Sequence, residues 1–261
     1  MSIEQGNLLR VEAPAMSPNP YGLFSVVTPR LDGRFLSGIQ WESIACGANV
    51  GVTVDPCVDP DTPPLPVPEP VCDWVAYEPF HVFAQANRTP VEGDAIRMAT
   101  NRLTSGEQVG VEQVIWTMIE AEAAAPTAIG GPLSTLAYIE ARLAELYGGQ
   151  GVLHMGMILA TLLSDHLRIS GGQMTTMLGT PVVVGAGYEP PGPPPAAPAE
   201  PVPSTATIFG TGPIVMYRTD IEEIADPDLD TNRTRAMVSR GYVVGWDCVA
   251  VGASASITTE E

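Results

Sequence analysis

An α+β fold, built from hairpins around one long helix, is what this sequence predicts, and three observations predict it. Apolar and small or polar residues alternate with period two over Ile44–Val54 and again along Val238–Ala250, the signature of two-faced strands. A threonine–proline–valine–glutamate cap at Thr89–Glu92 opens a long amphipathic stretch with a helical period. Two proline-rich runs, Pro56–Pro70 and Pro190–Pro203, hold 15 of the 26 prolines, and each is flanked by strand-like sequence. They therefore read as stiff, extended excursions within a fold, not as linkers between domains.

Taken in order, Ile44, Cys46, Ala48, Val50, Val52 and Val54 share one strand face. The first proline run follows, and then Val71–Ala84, which carries Trp74, Val75, Tyr77, Phe80, Val82 and Phe83. This predicts a long β-hairpin with a proline-rich tip, continuing into a core strand. The helix capped by Thr89, with Pro90 at its first position, is expected to run to about Glu120, roughly 45 Å. Ile96, Ala99, Leu103, Val111, Val114, Ile115 and Met118 form its inner face, and Arg97, Asn101, Arg102, Gln108 and Glu112 its outer one. Gly106 and Gly110 weaken it by about 1 kcal/mol each, which calls for something packed closely against them.

A second helix spans Leu133–Tyr147, with Leu136, Ile139, Leu143 and Leu146 inward and Gly148-Gly149 as its stop. Next come an apolar strand, Val152–Met155, a helix over about Met157–Leu167, and a turn at Ser170-Gly171-Gly172. Strands follow at Gln173–Leu178 and Pro181–Val184, then at Thr207–Phe209 and Ile214–Thr219 beyond the second proline run. The last strand is long, with Val238, Tyr242, Val244, Trp246, Cys248 and Ala250 on one face.

Composition excludes several kinds of chemistry. Thirty acids against twelve bases give a net charge of −18 over 261 residues, and every base is an arginine. Without lysine there is no Schiff base and no phosphate-loop lysine. An acidic chain without a basic stripe is also a poor reader of nucleic acid. The N-terminus has no basic stretch followed by an apolar one, so no secretory signal is expected, and no apolar run is long enough to span a bilayer. Cys46, Cys57, Cys72 and Cys248 are spaced too irregularly for a zinc ribbon or a CxxC motif, and reduced thiols are the expectation. The sequons at Asn87 and Asn232 carry no meaning without secretion.

No catalytic constellation emerges, and neither a cofactor nor a metal is called for. His154 sits in an apolar strand and reads as a core residue, and His166, beside Asp165, as part of a solvated helix face. Gly210-Thr211-Gly212 lacks the third glycine of a dinucleotide fingerprint and precedes a strand. Asp226, Asp228 and Asp230 begin like a calcium loop, but Thr231 replaces the required glycine and Met237 the bidentate glutamate, leaving a solvated acidic loop. Cys57 and Cys72 flank the first proline run. They are either free thiols or, in oxidising surroundings, a disulfide clamp across it.

The order of these elements resembles the major capsid proteins of tailed phages, of the Hong Kong 97-like fold. Phe80-His81-Val82-Phe83-Ala84 leads into a long helix carrying Arg102-Leu103 and Gly106-Glu107. Gly151-Val152-Leu153-His154 is similar to that family's short strand before its next helix. Leu178-Gly179-Thr180-Pro181-Val182-Val183 is similar to its glycine–x–proline–valine–valine strand. Ser239-Arg240-Gly241-Tyr242 is similar to its late glutamate–arginine strand, with serine for the glutamate. Residues 179–188 and 206–255 resemble short capsid-like proteins of actinobacterial phages.

The resemblance implies an N-terminal arm (1–38) and an extended hairpin, the E-loop (39–78). A peripheral (P) domain would comprise 79–132 and 233–261, with a spine helix at 89–120, and an axial (A) domain 133–232, with a proline-rich loop at 189–203. It also implies a non-enzymatic head protein forming hexamers and pentamers of an icosahedral shell around double-stranded DNA, made in the host cytoplasm and residing in the virion. Scaffolding, portal and decoration proteins are the implied partners. Candidate intersubunit contacts are Trp41, Asp55, Cys57, Pro66, Cys72 and Trp74 on the E-loop. Arg97 and Arg102 on the spine helix join them, or else lie on an exposed helix face. The second proline run belongs either at the capsomer centre or on the outer surface. The lysine–asparagine crosslink of one branch of the family is impossible here, so a shell would be held non-covalently. An encapsulin-type nanocompartment shares the implied fold, and a minor virion protein is the other alternative.

Overall fold

The structure, a computed structural model, describes residues 17–43, 74–89, 93–188 and 205–257. In chain order these form α1 (Leu23–Val26), β1 (Arg30–Leu31), β2 (Ile39–Glu42), β3 (Trp74–Tyr77), β4 (Phe80–Arg88) and the long helix α2 (Ala95–Glu122). Next are β5 (Thr127–Gly130), α3 (Pro132–Leu146), β6 (Val152–Met155), α4 (Met157–Leu162), β7 (Leu167–Ser170), β8 (Gln173–Thr176) and β9 (Pro181–Val184). Last come β10 (Thr205–Thr211), β11 (Ile214–Arg218), β12 (Glu222–Asp228), β13 (Arg233–Trp246) and β14 (Ala250–Ser256). The α+β class predicted from sequence is the one observed. The expected strand at 44–54 and both proline-rich runs lie outside the described residues.

Helix α2 begins later than its sequence cap predicts. Thr89 is not the N-cap. The ladder between β4 and β13 runs up to Arg88↔Thr234, which commits the residue beside Thr89 to extended backbone. The chain then turns at Gly93, whose φ of 103° suits glycine, and Asp94 caps the helix by accepting the Ile96 N–H at 2.9 Å. Along α2 the buried positions step by four: Ala95, Ala99, Leu103, Glu107, Val111, Ile115 and Ile119. Gln108 and Glu112, expected on the solvent face, are buried as well. Spacing alone does not say which polar side chains will find partners inside. Of the two helix glycines, only Gly110 is tightly packed: a Cβ there would lie 3.0 Å from Val82, whereas Gly106 faces open space.

α2 lies across a five-stranded sheet in which β11 and β13 pair antiparallel, with β1 parallel outside β11. The N-terminal half of β13 is flanked by β12 on one side and β4 on the other. β12 overturns the acidic-loop expectation, since Asp226 and Asp228 lie within a strand, opposite Arg235 and Arg233. Pairing across the ladder with arginines stabilises an acid-rich strand that its own propensity disfavours.

The second sheet has seven strands in the order β5-β14-β10-β6-β9-β8-β7. β6 and β9 are parallel neighbours, and all four residues of β6 are buried, His154 included, as its mainly apolar run predicts. α3 packs its Leu136, Ile139 and Leu143 face on β10 and β14, and a Cβ at Gly210 would lie 2.8 Å from Ile139. The helix expected over 157–167 ends at Leu162, and Leu167 opens β7. Positive φ at both Gly171 and Gly172 makes a tight hairpin turn, so the residues before it must be a strand. The expected long final strand is also two strands. β13 stops at Trp246, Cys248 adopts φ 64°, and β14 continues in the other sheet.

Candidate functional site

Three junctions hold segments far apart in sequence and shape the surfaces from which the undescribed runs emerge. The first is the root of the expected E-loop. β2 and β3 pair from Ile39↔Tyr77 to Glu42↔Trp74. Trp41 stacks on Tyr77, whose ring packs against Trp246, both at 5.2 Å between centroids. Tyr77 donates its hydroxyl to the Trp246 carbonyl at 2.8 Å, and burial pushes its phenol well above the ordinary range. Asp247 accepts from the Ser43 hydroxyl at 2.6 Å and from the Trp41 indole at 3.4 Å. Only glycine fits at 245, where a Cβ would overlap Tyr77 and Trp41. Cys248, with its sulfur 2.9 Å from the Ser43 hydroxyl, is disulfide-bonded, which corrects the reduced-thiol expectation. Its partner lies outside the described residues.

The second junction centres on Glu112. One carboxylate oxygen accepts the Leu23 N–H and the other the Gly187 N–H, both at 3.0 Å. Burial raises the pKa of this carboxyl, and the amide hydrogen bonds oppose the shift. Gly22, Gly185 and Gly187 close around the carboxylate, each at a place where a Cβ would lie within 3 Å of the Glu112 or Gln108 side chain. Asn19 adds a bond to the Val184 carbonyl at 2.6 Å, and the Val184 N–H donates to the Tyr21 carbonyl. The N-terminal segment is thereby fastened to α2 and to the stretch leading into the second proline run.

The third junction pins α2 to β13. Arg240 pairs with Glu107 at 2.6 Å, and the Tyr242 hydroxyl donates to the same oxygen at 3.1 Å. The sequence signal for this triad was the Arg240–Tyr242 motif, whose partner, Glu107, could not be read from spacing. Helical spacing did not mark Glu112 as an inward residue.

Of the expected contact residues, Trp41 lies inward at the hairpin root, while Trp74, at the far end of the same pair, is 62% exposed. Arg97 is exposed, and Arg102 donates to the Gln85 carbonyl at 2.6 Å, tying α2 to β4. Asp55, Cys57, Pro66 and Cys72 lie outside the described residues, and so does the suggested Cys57–Cys72 clamp. His154 is fully buried, with its ring nitrogens 2.8 Å from the Tyr188 hydroxyl and 3.0 Å from that of Thr211. Burial lowers its pKa to about 3, which makes it a neutral core group, as its apolar strand suggested. His166 ends a short 3₁₀ turn, not an α-helix, and is partly exposed. Among the described residues no cluster of three or more His, Cys, Asp or Glu side chains could hold a metal. No helix among them is long and apolar enough to cross a membrane.

A long helix laid on a sheet, a paired β2–β3 root before it and a second sheet entered by a returning strand match the Hong Kong 97-like fold of tailed-phage major capsid proteins. Solved structures agree over almost the whole chain. The Mycobacterium phage Che8 structure covers 97% of this chain and 96% of its own, at TM-score 0.53 and 12% identity. The capsid of an empty GTA particle covers 98% of both chains, again at TM-score 0.53 and 12% identity. A virus-like particle from Pyrococcus furiosus covers 90% and 92%, at TM-score 0.52 and 10% identity. The sequence matches no protein-family model and no curated relative.

Proposed function

We propose that this chain is a major capsid protein of a phage or phage-like particle, whose copies form the hexamers and pentamers of an icosahedral shell around double-stranded DNA. The observation that carries this reading is the near-complete two-way coverage by capsid structures. In this reading, residues 1–38 are the arm and 39–78 the E-loop, which crosses a neighbouring subunit. Residues 79–132 and 233–261, with α2 as spine, are the P domain, and 133–232 the A domain. β11 and β12, within 133–232, pair with β13 of 233–261, so the two proposed domains share a sheet in this reading. Trp74, Arg97 and the undescribed Asp55, Cys57, Pro66 and Cys72 are then contacts between subunits. A scaffold, a portal and decoration proteins are the expected partners.

Main-chain pairing and buried area, repeated over many copies, suffice to hold such a shell without a covalent bond. The absence of lysine makes isopeptide crosslinking impossible. Electron microscopy of the protein expressed alone and with a co-expressed scaffold tests the proposal. Closed shells of pentamers and hexamers are expected, whereas monomers or open rings under both conditions would overturn it. A second reading, an encapsulin-type compartment, draws on the Pyrococcus furiosus virus-like particle. Shells that hold protein cargo and no nuclease-protected DNA would favour it.

A further inference from the structure

Cys248 is one end of a disulfide, and counting narrows the other end. The sequence holds four cysteines, and the other three, Cys46, Cys57 and Cys72, all fall between β2 and β3. Whichever of them supplies the second sulfur, the bond ties the stretch between those strands to the corner where β13 ends and β14 begins.

That corner is a rigid anchor. Cys248 sits at φ 64°, a left-handed backbone that side chains rarely adopt, and its neighbours hold it there. The Asp247 N–H donates to the Pro213 carbonyl at 3.1 Å, the Val249 N–H to the Asp247 carbonyl at 2.7 Å, and the Gly212 N–H to the Val249 carbonyl at 3.1 Å. β2 arrives directly against it, through the Trp41 indole and the Ser43 hydroxyl on Asp247. The Ser43 hydroxyl is also 2.9 Å from the Cys248 sulfur.

Chain connectivity then ranks the three cysteines. Cys46 is three residues beyond Ser43, so their Cα atoms are within about 11 Å whatever course the chain takes. Cys72 reaches the corner only by way of Trp74 and its ladder partner Glu42, and Cys57 is fourteen residues from Ser43. The shortest tether gives the highest local concentration of thiol and the smallest closure entropy. A cleft of about 320 Å³, lined by Glu122, Leu146, Cys248, Val249 and Ala250, admits a small reagent beside the corner.

We propose that Cys46 and Cys248 form a redox lock on this corner, open under reducing conditions and closed by exchange with a small disulfide such as glutathione disulfide. One cysteine thiolate attacks that disulfide, forming a mixed disulfide and expelling a glutathione thiolate. The second cysteine thiolate then displaces the remaining glutathione. Two protein thiols are oxidised, one glutathione disulfide is reduced to two glutathione molecules, and the two protons end on them. The lock lies within one chain, so it holds independently of the assembly reading above.

The test uses the full chain, reduced with dithiothreitol, then incubated with glutathione disulfide and alkylated. Cleavage before aspartate separates the three candidates, because Asp55 lies between Cys46 and Cys57, and Asp59 between Cys57 and Cys72. A Cys46–Cys248 linked peptide is expected, lost on reduction and absent from Cys46→Ser and from Cys248→Ser. The Cys57→Ala, Cys72→Ala double variant should retain it. Closure should slow amide hydrogen exchange at Asp247 and Val249 by about tenfold in the wild type and leave Cys46→Ser, whose corner sequence is untouched, unchanged. A link from Cys248 to Cys57 or Cys72, complete alkylation of Cys248 after oxidation, or equal exchange rates in the oxidised and reduced wild type would each overturn the proposal.

Discussion

The two halves of α2 are held by different physics. Its N-terminal third presents Ala95, Ala99 and Leu103 to Ala86, Ala236 and Val238, a small apolar cluster fixed by area and close approach. Four residues beyond Leu103, the helix buries the polar Glu107, Gln108 and Glu112 beside Val111, Ile115 and Ile119, which add an apolar core of their own. What the polar residues add is specificity. Each carboxylate has partners in segments far away in sequence, β13 for Glu107 and the N-terminal segment and Gly187 for Glu112. Apolar burial accepts many registers, whereas a buried carboxylate accepts only the arrangement that satisfies it.

The largest effect should come from breaking the polar half. Glu112→Ala strands two buried amide N–H groups, each costing about 1–3 kcal/mol, so a loss of about 4 kcal/mol in urea-unfolding free energy is expected. Hydrogen exchange should then rise at Leu23 and Gly187 together. Leu103→Ala, in the apolar half, should cost about 3 kcal/mol through its cavity, with exchange raised only locally. Equal exchange patterns in the two variants would erase the distinction.

A pH titration sharpens the contrast from the other side. His154 is held neutral, with a pKa of about 3 against an ordinary value near 6.5. Its contribution to stability is complete above pH 6.5 and declines by up to about 1.4 kcal/mol per pH unit as pH falls toward 3. Glu112, with a raised pKa, acts with the opposite sign, because its folded state takes up a proton first and gains stability on acidification. His154→Gln should flatten the loss below pH 6.5, and Glu112→Gln should leave the histidine-dependent loss steeper. The smallest effect is expected at the helix glycines. Gly106→Ala faces open space and should stabilise by about 1 kcal/mol, while Gly110→Ala, 3.0 Å from Val82, should gain less or lose.

Much of the fold was legible because it follows from periodicity. β6 was read to the residue from the apolar residues around His154, α3 to within a residue at each end, and α2 to within two residues at its C-terminal end. Errors arose where a local signal lost to a longer-range one. The Thr89 box was overridden by the β4–β13 ladder, and the acidic sequence of β12 was recruited by the arginines of β13. The helix expected to reach Leu167 ends at Leu162, because the two positive-φ glycines at 171 and 172 close a hairpin whose first strand opens at Leu167. The polar junctions were the least legible part, because a buried glutamate and an exposed one are the same letter at the same helical spacing. Glycine was the available clue: Gly22, Gly185 and Gly187 are all small because Glu112 and Gln108 occupy the space a side chain would need.

The corner at Asp247–Val249 has a mechanical consequence. One uninterrupted length of backbone, Arg233–Ser256, is the central strand of the first sheet and then a strand between β10 and β5 in the second. A load that tends to pull the sheets apart therefore runs along covalent bonds through this corner, in addition to the side-chain contacts between the layers. If the chain is built into a pressurised wall, this strand serves as its tendon, and the turn at Cys248 is where bending between the two halves would concentrate.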